Sequence, residues 1–251
     1  MNLETDAQKT SPLPMARSTG QPDSSPRPTK LEVYRDPGYA GDYDRRWSGT
    51  RGQKRDRRKA AAIRLAWASL VADWSRDRPE GLRTEPRSLL DVPTGTGRFT
   101  DLFHELVEGQ VLGADLAVAM LLEAQEKHPS GQYCAVDGLH LPFPDDSFDV
   151  VVCIRFMHLV RDSEMRRAFL REFARVARVG VIVDYRHGHT FRIWGRHLRH
   201  RLGLRKSAPS NPSPKAIRSE IEAAGLRLVA EHRVHFGRYM SDKRLFVTRT
   251  E

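Results

Sequence analysis

The stretch Leu89-Leu90-Asp91-Val92-Pro93-Thr94-Gly95-Thr96-Gly97-Arg98-Phe99 decides how this chain is read. Apolar Leu89, Leu90 and Val92 suit a strand covered on both faces. The carboxylate of Asp91 stands at its end. Gly95 and Gly97 let the backbone turn sharply and approach a ligand closely. A helix beginning at Phe99 then offers its first, unsatisfied N–H groups. The unit is built to hold a nucleotide-like ligand. A GxG turn alone is weakly specific, so its neighbours along the chain matter.

Val111-Leu112-Gly113-Ala114-Asp115 is a second apolar run ending in an acid, placed to accept hydrogen bonds from both ribose hydroxyls. A nicotinamide fingerprint requires G-x-G-x-x-G, and its third glycine falls on Thr100, which argues against that cofactor. Tyr133-Cys134-Ala135-Val136-Asp137 reads as a third strand with a terminal acid. Leu141-Pro142-Phe143-Pro144-Asp145-Asp146-Ser147-Phe148-Asp149 precedes a fourth strand, Val150 to Ile154.

Taken together, these residues resemble the class I S-adenosylmethionine-dependent methyltransferases of the type 11 (UbiE-like) group. That group carries D-V-x-x-G-x-G-x-F, an acid ending strand two, and D-a-x-x-L-P-F-x-D-x-S-F-D. The likeness is close over residues 85 to 180 and looser to residue 250. Pro93 replaces a frequent glycine, and Arg178-Val179-Gly180 is a shortened turn before strand five. The resemblance implies an α/β fold: a doubly wound, seven-stranded Rossmann-like sheet with an antiparallel C-terminal hairpin. It implies S-adenosyl-L-methionine as cofactor, held by Asp91, Pro93, Gly95, Gly97, Asp115, Leu116, Asp137, Gly138 and Arg155. Asp91 is expected to position the glycine loop and the methionine amino group, Asp115 the ribose, and Asp137 with Gly138 and Leu139 the adenine. His158, Asp184 and Tyr185 are candidate catalytic residues, with His187 beside them. The sulfonium is already an activated donor, so alignment and exclusion of water are the main requirements.

The remaining chain is organised around that core. Residues 1 to 30 are rich in Ser, Thr, Pro and Gln and are expected to stay disordered. Residues 31 to 84 form a pre-core segment and a basic helix from Gln53 to Trp74, with Ile63, Leu65, Ala66, Leu70, Val71 and Trp74 on its apolar side. Residues 85 to 251 form the methyltransferase core. Helices are expected over Phe99–Val107, Ala117–Lys127 and Ser163–Ala177, the last capped by Ser163. Strand five is expected over Val179–Tyr185. A helix opens at Ser213-Pro214 and stops at Gly225, and strands Leu226–Val234 and Leu245–Thr248 close the sheet.

Of the 251 residues 39% are hydrophobic, enough for one core. No apolar run reaches the roughly 18 residues a membrane span needs, and no basic-then-apolar signal opens the chain. A cytoplasmic protein is expected, with Cys134 and Cys153 as small core side chains and no metal, since no Cys/His cluster has zinc spacing. The net charge of +10 favours an acidic partner. Much of it lies in an insert, 186–212. From Arg186 to Lys206 there are seven Lys/Arg and no acid, with Phe191, Trp194, Leu198 and Leu202 at near-helical spacing. Such a segment suits peripheral contact with an anionic membrane at its inner face, or a cover over a hydrophobic acceptor. The function expected is in-line methyl transfer to a small or lipid-like, anionic acceptor. An RNA methyltransferase is the first rival. Nucleic acid is less favoured, because Cys153-Ile154-Arg155-Phe156 stands where an N/D-P-P-F/Y motif would be. The second rival, a non-catalytic cofactor-binding regulator, is disfavoured by the intact acids at 91, 115 and 137.

Overall fold

The computed structural model describes residues 30–250 apart from 77, 80, 81, 83, 205, 207, 209, 210 and 236–240. The tail expected over residues 1 to 30 therefore lies almost wholly outside the described residues. Seven strands form one sheet in the order β3-β2-β1-β4-β5-β7-β6. They are β1 (Ser88–Asp91), β2 (Gln110–Asp115), β3 (Gln132–Ala135), β4 (Phe148–Cys153), β5 (Ala177–Arg186), β6 (Leu226–Arg233) and β7 (Lys243–Thr250). The first five run parallel, and β7 is antiparallel to both neighbours, as the closing hairpin required. Short helices α1 (Lys30–Arg35), α2 (Pro37–Tyr43) and α3 (Arg45–Ser48) lead into the long α4 (Thr50–Arg76). Then come α5 (Thr100–Leu106), α6 (Val118–Lys127), α7 (Ser163–Val176), α8 (Phe191–Arg201) and α9 (Pro214–Glu222).

The sheet is covered on both faces, and side-chain alternation assigns each residue to a face. Val150, Val152, Ile182 and Val247 pack with Ile63, Ala66, Trp67 and Leu70 of α4 and with Phe103 of α5. Val151, Cys153, Val181, Val183, Tyr185 and Phe246 pack with Phe169, Leu170 and Phe173 of α7 and Ile217 of α9. Each such fully buried side chain contributes about 1.5–3 kcal/mol relative to exposure. Leu65, expected on the buried side of α4, is 58% exposed; Trp67 takes the inward position, as the 3.6-residue period from Ile63 and Leu70 demands.

Local chemistry sets the ends. The cap of α7 is Asp162 rather than Ser163: its carboxylate accepts from the N–H groups of Glu164 and Met165, while the Ser163 hydroxyl donates to Glu220 at 2.8 Å. Asp184 and Tyr185 are consecutive on β5 and so face opposite ways. Tyr185 lies in the α7/α9 core, 1% exposed, with its hydroxyl donating to Glu220 Oε2 at 3.2 Å. Burial raises its phenol far above the ordinary range. Tyr185 is thus a core residue, away from the cleft where it was expected. Asp149, fully buried, accepts from the N–H groups of Arg87 (2.7 Å) and Ser88 (3.2 Å) and from Arg178 Nε (2.9 Å), binding the lower ends of β1, β4 and β5 together.

The Arg166–Glu220 ion pair joins α7 to α9 with both side chains nearly inaccessible. Replacing Glu220 by Ala leaves the guanidinium buried without its partner and is expected to lower unfolding free energy by about 3–5 kcal/mol. Tyr185→Phe removes one hydrogen bond and is expected to cost only about 1 kcal/mol. Urea denaturation at pH 7 measures both. A Tyr185→Phe protein of near wild-type stability that has lost methyl transfer contradicts the core assignment.

Candidate functional site

The carboxyl ends of the parallel strands carry the candidate site, as open α/β sheets dictate. β1 ends at Asp91, and Val92 N–H continues the ladder to Val152 O at 2.9 Å. Thr94 N–H then donates to Ala114 O at 2.8 Å, holding the turn against β2. Gly95 and Gly97 have φ of 60° and 68°, a region costly for residues with a Cβ. A Cβ on Gly97 would stand 3.0 Å from Ala124 Cβ of α6, so the helix can pack there only against glycine. At Gly95 nothing lies within 4 Å of that position: the loop backbone faces open space.

Three acids follow or end β1, β2 and β3. Asp91, 4% exposed, has its carboxyl pushed up to about 7, chiefly by burial and further by the Asp115 charge, against a lowering by the Thr94 hydroxyl. Asp115 accepts from Gly95 N–H and Ala117 N–H, both at 2.9 Å, so it braces the glycine loop. Burial raises its carboxyl above the usual range, partly offset by those N–H groups. Leu116, next to it, is 38% exposed on the rim. Asp137 accepts from Leu139 N–H at 2.9 Å, and Gly138 packs against Phe169, where a Cβ would come within 3.1 Å. Pro93 lies within the turn that follows β1.

The other half of the sheet edge is cationic. A narrow cleft is lined by Trp47, Arg55, Asp56, Lys59, Phe99, Arg155, His158, Asp184, Arg186, Val234, His235 and Lys243. Its floor is the Lys59–Asp184 ion pair at 2.7 Å, with both side chains 5% exposed. Burial holds Lys59 below the ordinary lysine range, while the Asp184 carboxylate pulls it back up. Asp184 Oδ2 also receives Arg155 N–H at 3.2 Å, whereas its Oδ1 is buried without a partner. Arg155 has φ of 66°, a conformation costing of order 1–3 kcal/mol. Its guanidinium stands 3.9 Å from the Trp47 ring centre, and Arg98 stands 4.1 Å from the same ring. Tyr43 hydroxyl receives Arg155 at 3.4 Å. Asp44 fastens this covering segment: it receives the Thr96 hydroxyl at 2.9 Å and pairs with Lys127.

Among the residues expected at the site, Asp91, Pro93, Gly95, Gly97, Asp115, Leu116, Asp137 and Gly138 gather around the loops following β1, β2 and β3. Arg155, His158 and Asp184 line the cleft, and Tyr185 does not. His187 is fully buried, its Nδ1 receiving His189 N–H at 3.2 Å, and it does not line the cleft. Lys59, Trp47, Arg98, Arg186 and Lys243 were not singled out as site residues. Lys59 had a signal: it lies four residues before Ile63, on the buried stripe of α4, where an unpaired lysine is not tolerated.

The residues present fit the expected cofactor. Open space lies above Gly95, and acids end β1 and β2, which suits ribose hydroxyls and an ammonium. Residues 90–183 match the family described as "Methyltransferase domain". A demethylmenaquinone methyltransferase of Deinococcus radiodurans is 29% identical over 59% of this chain and 71% of its own length. A malonyl-[acyl-carrier protein] O-methyltransferase of Halorhodospira halophila is 40% identical over a shorter segment, 32% of this chain and 29% of its own. Magnesium protoporphyrin IX methyltransferase of Synechocystis PCC 6803, solved with bound SAH, shares the fold with a TM-score of 0.64 at 17% identity, over 88% of this chain and 97% of that one. With the motifs, the sheet order and the family match in agreement, residues 90–183 form a methyltransferase domain, and the chain is similar to the UbiE-like group of S-adenosylmethionine-dependent methyltransferases.

Proposed function

We propose that this enzyme moves the methyl group of S-adenosylmethionine onto a small, lipid-like acceptor that carries an anionic group. The cleft carries the proposal. Arg55, Lys59, Arg155, Arg186 and Lys243 line it against the two acids Asp56 and Asp184, and Trp47 and Phe99 supply aromatic walls. Relatives named for demethylmenaquinone, malonyl-acyl carrier protein and magnesium protoporphyrin IX support an acceptor other than nucleic acid.

The cofactor supplies a methyl group already activated on a sulfonium, so the protein's work is placement. In this reading Asp115 receives the ribose hydroxyls with the lone pairs not engaged by Gly95 and Ala117. Asp137, Gly138 and Leu139 border the adenine. Asp91 faces the amino group, while Pro93, Gly95, Gly97 and Leu116 shape the bed. Arg155 holds a carboxylate at the junction of cofactor and acceptor. Asp184 Oδ1, buried and unpartnered, accepts a hydrogen bond from the acceptor's reacting hydroxyl, and His158 lines the same cleft as the proton's further acceptor.

Asp115→Ala is expected to weaken cofactor binding by about 1.5–3 kcal/mol, the worth of a charged hydrogen-bond acceptor. Calorimetry on the folded variant reads this, and unchanged affinity removes Asp115 from the site. Tighter binding of NAD than of S-adenosylmethionine overturns the cofactor assignment.

Asp91 has a folded pKa near 7, above its unfolded value of 3.8, so the folded state holds the proton more firmly. Its contribution to stability is fully present below about pH 4 and is lost as pH rises through 7. Asp91→Asn is expected to flatten that decline in melting temperature. In the wild type, binding a cofactor ammonium beside Asp91 favours its charged form, so affinity rises from pH 6 to pH 8 and the variant loses this rise. A variant with the wild-type pH dependence contradicts the assignment.

Burial and the neighbouring Arg186 lower Lys243 to about 8. The cleft therefore loses a cation above that pH, and KM for an anionic acceptor is expected to climb there. Arg186→Gln should raise KM roughly tenfold for an alkyl phenol carboxylate and leave its methyl ester unaffected. Equal use of acid and ester, or label entering RNA in a fractionated extract, defeats the acceptor reading.

A further inference from the structure

The insert after β5 forms α8, capped by the Thr190 hydroxyl receiving Ile193 N–H at 3.3 Å. Ile193, 1% exposed, is the side chain that seats the helix on the protein. At about 100° per residue, Phe191, Leu198 and Leu202 fall on the opposite side. They are 60%, 58% and 63% exposed, with Trp194 at 44% beside them and Leu204 at 72% just beyond the helix. A folded protein rarely presents that many large apolar side chains on one outward ridge. Arg199 and Arg201 flank the ridge on either side, both exposed, and no acid occurs between Arg186 and Lys206. Arg192, although exposed, pairs with Asp242 and so fastens the helix to the body.

We propose that α8 is an interfacial helix that seats this enzyme on an anionic phospholipid surface. An apolar ridge bordered by cations, with a Trp and a Phe among its apolar members, matches the layering of a bilayer boundary. Acyl chains meet Phe191, Leu198 and Leu202, and phosphates meet Arg199 and Arg201. Charge complementarity selects the occupant: an acid-free cationic border disfavours a second copy of this +10 chain on the same face. The helix also adjoins the cleft. Arg186, which lines the cleft, ends the strand leading into it, and Asp242, which anchors it, precedes the cleft residue Lys243. Seating through α8 thus brings the lipid surface beside the acceptor cleft, in keeping with the acceptor class proposed above. No helix among the described residues is long and apolar enough to cross a membrane, so contact is confined to the surface.

The test is flotation of the full chain with phosphatidylcholine vesicles, with and without phosphatidylglycerol, at low and moderate salt. Wild type is expected to float with the anionic vesicles at low salt, less at moderate salt, and not with phosphatidylcholine alone. Leu198→Ser/Leu202→Ser and Arg199→Gln/Arg201→Gln are each expected to cut the bound fraction roughly tenfold. Their melting temperatures should stay unchanged, because all four side chains are exposed. Four results overturn the proposal: no flotation at low salt, equal flotation of the Leu variant, equal flotation with neutral vesicles, or self-association that Leu198→Ser abolishes without any flotation. Flotation needs neither cofactor nor acceptor, so its failure leaves the methyl-transfer reading standing.

Discussion

The Lys59–Asp184 pair is the constraint around which the site is arranged. Asp184 sits near the end of β5 on the face covered by α4, and a carboxylate there must be paired. Lys59 of α4 supplies the cation, at 2.7 Å. The pair then determines much else. It fixes where along β5 the first half of α4 lies, and hence where α3 and Trp47 enter above the glycine loop. It leaves Oδ2 engaged with Lys59 and with Arg155 N–H, and Oδ1 buried without a partner. It also helps hold Arg155 at its positive φ. Breaking such a pair by removing one partner typically costs about 3–5 kcal/mol, whereas the intact pair adds little net stability over an apolar substitute. Its value lies in placement.

What could be read from the sequence follows from which interactions are local. The glycine loop, the acids ending β1 and β2, the cap at Ser213 and the left-handed turn at Gly225 depend on neighbours a few residues away, and each appears where the pattern put it, whereas Asp137 falls in the loop beyond β3. Tyr185 failed for a reason also visible in the sequence: consecutive strand residues face opposite ways, so Asp184 and Tyr185 could not share a cleft. Ser163 and Asp162 are both good caps, and only the tertiary contact of Ser163 with Glu220 separates them. The contact of Trp47 with Arg98 was beyond reach. Their meeting depends on the path of the segment preceding α4, set by Asp44 contacting Thr96 and Lys127 far along the chain. No period or spacing encodes that.

The sheet edge is electrostatically divided, and the division bears on the proposed chemistry. The ends of β1 and β2 carry Asp91 and Asp115, and the loop after β3 carries Asp137. The ends of β4 and β5, the start of β7 and the adjoining α4 carry Arg155, Arg186, Lys243 and Lys59. A donor bearing a sulfonium and an ammonium suits the first half and is repelled by the second, so only one orientation on the glycine loop is electrostatically favoured. The cationic half does the reverse for the acceptor. In the proposed reaction it draws in the acceptor's anionic group and lowers the pKa of a hydroxyl held near Arg155, enriching the nucleophilic anion at neutral pH. Charge is lost when an anionic nucleophile meets a sulfonium, so strong solvation slows the step. A cleft walled by Trp47 and Phe99 limits that solvation, while the fixed cations keep the anion bound until transfer.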